Sequence, residues 1–95
     1  MAQLDIDIAR SRRIIAQLTQ QIVEQERLLR ALEAWLPRTG LDSEEGRQAR
    51  RALEAEMENK RHTIESLKQL LDAELQRLLR LEDALRRRKH PTVPT

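Results

Sequence analysis

The fold of this 95-residue chain is decided by a short interruption near its middle, Pro37-Arg38-Thr39-Gly40-Leu41-Asp42. Pro37 disfavours helical backbone at Leu36, so a helix that arrives from the N-terminal side ends there. Gly40 tolerates the positive φ angle that a chain reversal needs. Asp42 is a good N-cap for a second helix, and Glu45 three residues later completes a capping box. The stretch therefore predicts a turn between two helices.

On both sides of this turn, apolar residues recur at intervals that alternate between four and three, which is typical of a coiled-coil heptad repeat. Before the turn the seam positions are Leu4, Ile8, Ser11, Ile15, Leu18, Ile22, Gln25, Leu29, Leu32 and Leu36. After it they are Leu53, Met57, Lys60, Ile64, Leu67, Leu71, Glu74, Leu78, Leu81 and Leu85. The pattern predicts helix one over residues 3–36, a turn at 37–42 and helix two over 43–89. Pro91 stops helix two, which leaves 91–95 as an extended tail.

A connection of six residues favours antiparallel neighbours. We therefore expect an all-α fold, an antiparallel two-helix coiled-coil hairpin within residues 1–90; two straight helices joined by a tight break are the alternative. Pairing residues whose numbers sum to 82 opposes seam to seam throughout, for example Leu18 with Ile64. In this register helix two outruns helix one, and Leu81 and Leu85 would be uncovered in a monomer.

The aliphatic seam residues are the predicted hairpin core. They are Leu4, Ile8, Ile15, Leu18, Ile22, Leu29, Leu32, Leu53, Met57, Ile64, Leu67, Leu71 and Leu78. Further apolar residues flank the seam or lie beyond the predicted overlap, and a two-stranded seam does not need them. They form the predicted oligomer or partner interface: Ile14, Leu28, Trp35, Leu70, Leu75, Leu81 and Leu85. Because a contiguous apolar face is rarely left to water, we expect a homodimer that approximates a four-helix bundle, or else another helical protein on the same face.

Four seam positions are polar: Ser11, Gln25, Lys60 and Glu74. One interpretation is that the long side chains reach out of a thin core into solvent. The other is that they set the register or the pairing across a dimer, as single polar core residues can do in coiled coils.

Catalysis has little support in the sequence. The chain has no cysteine, which excludes disulfides and thiolate chemistry, and Trp35 is its only aromatic residue, which argues against a pocketed enzyme domain. No glycine-rich phosphate loop is present. His62 lies near Glu58 and Glu65 on a helix, but its heptad position faces solvent. We therefore predict no catalytic residue, no metal site and no cofactor.

The C-terminal end of helix two carries a basic run, Arg86-Arg87-Arg88-Lys89. Cations in the last turn stabilise a helix by interacting with its dipole, and this is one interpretation. The other is contact with the phosphates of a nucleic acid. No segment is apolar enough to cross a membrane. We expect a cytoplasmic, bacterial coiled-coil interaction protein, a scaffold, adaptor or regulatory subunit; a nucleic-acid-binding helical bundle is the alternative.

Overall fold

The computed structural model of the protein describes residues 3–36 and 42–89. Two helices account for nearly all of this part: α1 spans Gln3–Trp35 and α2 spans Glu44–Lys89. The two helices pack against each other, and the described residues contain no strand. The particle is elongated, with principal extents of 79 × 25 × 15 Å. The predicted all-helical hairpin is thereby confirmed.

The N-terminus of α2 is capped by Ser43. The backbone N–H of Gly46 donates to Ser43 Oγ at 2.9 Å, and the N–H of Arg47 donates to the Ser43 carbonyl oxygen at 3.0 Å. The predicted cap at Asp42 is therefore wrong by one residue. Serine and aspartate satisfy the free N–H groups of a first turn about equally well, so two adjacent candidates are hard to separate by residue type. Most of the predicted turn, 37–41, and the predicted tail, 91–95, lie outside the described residues.

The core is a single narrow line between the two helices. Its buried apolar residues are Ile8, Ile22, Met57 and Ile64, and Ser11 is the most buried polar residue at 1% exposure. The other predicted core residues are half-buried. Two helices enclose few side chains completely, and a chain of this size buries a modest share of its surface.

The register of the hairpin differs from the predicted one. Two ion pairs cross between the helices: Arg12 Nη2 lies 2.9 Å from Glu82 Oε2, and Lys68 Nζ lies 3.9 Å from Glu26 Oε2. The numbers in both pairs sum to 94, whereas the predicted register placed Arg12 opposite residue 70. The predicted register is therefore wrong. Because both seams repeat every seven residues, the seam pattern alone does not distinguish registers that differ by one heptad.

A shift of one heptad, to seam pairs that sum to 89, accounts for both ion pairs. Side chains lean toward the N-terminus of their own helix. In antiparallel helices, two long flanking side chains that touch therefore have residue numbers with a larger sum than those of two opposed seam residues. In this register Leu81 and Leu85 come alongside Ile8 and Leu4. Both leucines are half-buried in the hairpin.

The depth of the seam can be tested at two adjacent positions of α1. Ile22 is 7% exposed, and its neighbour Val23 is 44% exposed. We expect Ile22→Ala to lower the free energy of unfolding by about 2–4 kcal/mol, since it removes buried methyl groups and leaves a cavity. Val23→Ala is the matched control and should cost below about 1 kcal/mol. Urea unfolding followed by circular dichroism measures both; equal losses would contradict the assigned core.

Candidate interaction surface

Two ion pairs bridge the helices on one side of the hairpin. They are Arg12–Glu82 and Glu26–Lys68, and we call this side the ion-pair side. Leu75 lies midway between Lys68 and Glu82, seven residues from each, so it belongs to this side and is 42% exposed. Seven residues are almost two helical turns, which keeps all three on nearly the same face of α2.

The opposite side of the hairpin carries a row of apolar side chains beside polar ones; we call it the groove side. Near the turn it holds a shallow groove of about 300 Å³ between the helices. The groove is lined by Leu28, Ala31, Leu32, Trp35, Glu56 and Lys60. Trp35 is 64% exposed, so its indole is presented to solvent at the edge of this groove.

The groove side can be followed from the turn toward the chain ends in steps of seven residues. Each step advances about 10.5 Å along antiparallel helices and returns to nearly the same face. The four successive levels are Trp35 with Glu56, Leu28 with Thr63, Gln21 with Leu70, and Ile14 with Arg77. Each level contains one large apolar residue, and we call these four residues the apolar ladder.

Three rungs of the apolar ladder are well exposed. Trp35, Leu70 and Leu28 are 64%, 57% and 38% exposed, and Ile14 is half-buried. These four belong to the seven predicted interface residues. The other three lie elsewhere: Leu75 is on the ion-pair side, and Leu81 and Leu85 are half-buried near the chain ends. Four of the seven predicted residues therefore share one surface, and the other three lie away from it.

Two exposed apolar residues were missed by the sequence argument. Val23 is 44% exposed and Leu79 is 65% exposed. Each precedes a cross-helix acidic residue by three positions, Glu26 and Glu82, so both lie at the outer edge of the ion-pair side. These two residues lie one position beyond a seam residue on the outward face, so a pattern of seam and directly flanking positions does not include them.

The polar seam residues do not all escape to solvent. Ser11 Oγ, Gln25 Oε1 and Glu74 Oε1 are buried and have no hydrogen-bond partner within the described part of the chain. Glu74 Oε1 lies 3.8 Å from Arg77 Nη1, which is an ion-pair distance and too long for a hydrogen bond. Lys60 lines the groove instead. Leaving a buried oxygen without a hydrogen bond costs free energy, so these three positions lack donors that a complete core would supply.

His62 is paired with one acidic residue of its own helix. His62 Nε2 lies 3.1 Å from Glu58 Oε1 on the same helix, and the imidazole side chain is 75% exposed. Across residues 3–36 and 42–89, no group of three or more His, Cys, Asp or Glu side chains is placed to hold a metal ion. The exposed His62–Glu58 pair has the geometry of an ordinary helix surface contact.

The basic run is exposed at the end of α2. Two of its residues form ion pairs with Asp83. Arg86 Nη1 lies 4.0 Å from Asp83 Oδ1, and Arg87 Nη2 lies 3.0 Å from Asp83 Oδ2. Arg12, which reaches this end of the hairpin, is paired with Glu82. Part of the positive charge is therefore balanced locally.

Neither α1 nor α2 contains a stretch that is both long and apolar enough to cross a membrane. Comparison with protein-family models, with curated proteins and with solved structures found no match for the chain.

The cross-helix ion pairs give a direct test of the register. Arg12→Glu places like charges at a contact of 2.9 Å and should lower the free energy of unfolding by about 0.5–1 kcal/mol. The double variant Arg12→Glu/Glu82→Arg restores the pair and should recover most of the loss in a double-mutant cycle. Arg13→Glu, one residue along, is the control. A coupling energy of zero between positions 12 and 82 would contradict the observed register.

Proposed function

We propose that the protein is a non-catalytic interaction protein that self-associates into a homodimer approximating a four-helix bundle. The observation that carries this proposal is the apolar ladder, whose rungs Leu28, Trp35 and Leu70 are exposed along one side of the hairpin. Charged side chains would be expected on a surface that only meets water. A line of large apolar residues is typical of a face that another helix covers.

The energetics of the hairpin support the same conclusion. A single narrow seam gives few fully buried side chains, and covering the groove side would give the half-buried residues a second layer. Burying a large aliphatic or aromatic side chain contributes about 1.5–3 kcal/mol. In a symmetric dimer each rung counts twice, so the gain can exceed the several kcal/mol that association costs in lost freedom.

A protein of this kind acts by holding other molecules in place. We propose the role of a scaffold, adaptor or regulatory subunit in a bacterial cytoplasm. A different helical protein could cover the same face in place of a second copy, and the mass of the particle in solution separates the two cases.

Dimerisation can be tested with two exposed leucines of α2. Leu70 is 57% exposed on the groove side, and Leu79 is 65% exposed on the opposite side. We expect Leu70→Gln to raise the dimer dissociation constant by at least about tenfold, because each copy loses a buried side chain worth about 1.5–3 kcal/mol. Leu79→Gln, the matched control, should leave it unchanged. Sedimentation equilibrium gives both constants.

The unaltered chain supplies the contrary outcome. A particle mass of 11.2 kDa at micromolar concentration would overturn self-association and favour a heterologous helical partner. Trp35 offers a second readout, since its fluorescence should shift to the red as a dimer that covers it dissociates on dilution.

Nucleic-acid binding is a second candidate function, favoured by the exposure of all four residues of the basic run. Clustered arginine and lysine bind phosphates without reading the base sequence. Trp35, the sole aromatic residue, lies on α1 near the turn, while the basic run ends α2. Base stacking on aromatic residues beside the cluster is thus not offered, and contacts would be restricted to the phosphate backbone.

The basic run can be neutralised as a unit. If it binds nucleic acid, changing residues 86–89 to alanine should weaken binding in a gel shift and reduce the salt slope by about 0.9 for each lost phosphate contact. The charge-matched control changes Arg27, Arg30, Arg50 and Arg51 to alanine. Equal weakening by both variants would show that net charge alone matters, and unchanged binding would remove the case for residues 86–89.

A further inference from the structure

Building on the proposed homodimer, we infer that the second copy docks on the groove side with its long axis reversed. The turn end of one hairpin then lies against the chain-terminal end of the other. This arrangement has a two-fold axis through the middle of the apolar ladder, so both copies use the same surface.

The first support is the spacing of the apolar ladder. Its four rungs occupy consecutive levels about 10.5 Å apart, in the order Trp35, Leu28, Leu70 and Ile14 from the turn outward. Reversing this order places Trp35 level with the partner's Ile14 and Leu28 level with the partner's Leu70. Every rung therefore shares its level with a rung of the partner.

The second support is the charge at the two ends of the ladder. Glu56 shares its level with Trp35 and lines the groove, whereas Arg77 shares its level with Ile14. In the reversed dimer Glu56 comes level with the partner's Arg77, and the symmetry makes this pair twice. Opposite charges at matching heights fix the orientation of two otherwise similar apolar faces.

The third support comes from the two charged seam residues. Lys60 follows Glu56 by one turn, and Glu74 precedes Arg77 by one turn. From each end of the ladder toward its middle, the acid therefore comes first at the turn end and the base comes first at the other end. Reversal brings Lys60 level with the partner's Glu74. Lys60 already lines the groove, and Glu74 Oε1 is buried with no hydrogen-bond partner in the described chain. The reversed dimer thus supplies a second cation to Glu74, whose Oε1 atom lies 3.8 Å from Arg77 Nη1 within its own chain.

The competing arrangement docks the same faces with the long axes parallel. The two-fold axis then runs along the helices, so each level meets the same level of the other copy with α1 opposite the partner's α2. Trp35 would face the partner's Glu56, and Ile14 would face the partner's Arg77. Apolar side chains opposed to charged ones disfavour that orientation, and Glu74 would receive no cation from the second copy.

Disulfide cross-linking distinguishes the two orientations, because the chain has no cysteine of its own. Arg77→Cys and Glu56→Cys are made as separate variants, mixed under reducing conditions, refolded together and then oxidised. In the reversed dimer the two different thiols share a level, while two identical thiols lie about 31 Å apart, far beyond the reach of a disulfide. About half of the dimers in a freely exchanging mixture are heterotypic, so about half should cross-link. Each variant alone should give almost no cross-link.

The matched control moves both thiols back by one residue. Gln76→Cys mixed with Ala55→Cys places them on exposed positions of α2 that face away from α1, and no cross-link should form. Cross-links in each single variant would overturn the reversed arrangement while leaving the dimer standing. A dimer by sedimentation that cross-links in no sample would overturn the reversed docking on the groove side. A monomeric mass for the unaltered chain would overturn the proposed self-association itself.

Discussion

Two helices touch along one line, and most features of this molecule follow from that constraint. A residue on the line, such as Ile22 or Ile64, can be enclosed by its own helix and the facing one. A residue beside the line has protein on one flank and water on the other. The core is therefore narrow, many of its aliphatic residues stay half-buried, and the character of each flank depends on its own side chains.

The two flanks solve this problem in different ways. On the ion-pair side, Arg12 and Lys68 reach across the seam to acidic residues of the other helix, and these contacts tolerate solvent. On the groove side, Leu28 and Trp35 edge a groove that has few polar groups, and no comparable ion pair crosses between the helices there in the described residues. Surface ion pairs contribute little stability individually, and Leu75 and Leu79 remain exposed on that side. The groove side differs because a groove with apolar walls lies there between the helices, and this is why we propose it for association.

The fold could be predicted from the sequence because helical periodicity, proline and glycine act locally. Pro37 and the regular spacing of residues such as Ile8 and Ile15 are enough to predict two helices and a reversal. Register is a different kind of quantity, because a seam that repeats every seven residues matches itself after each shift of seven. Deciding between registers needs flanking contacts such as Arg12–Glu82, which depend on side-chain direction as well as on position. The same limit explains the candidate surface: the apolar residues beside the seam could be found, but which of them share a level could not.

The register of the two helices has a consequence for the outside of the molecule. Sliding α2 by one heptad, to pairs that sum to 82, would still oppose seam to seam, yet it would bring Leu70 level with Ile14 and move Glu56 away from Trp35. The even spacing of apolar residues and the opposite charges at its ends would both disappear. The surface pattern is formed by residues of both helices together, and it exists in one register only. The register of the seam, which is hidden between the helices, therefore sets the pattern of side chains that the outer surface presents.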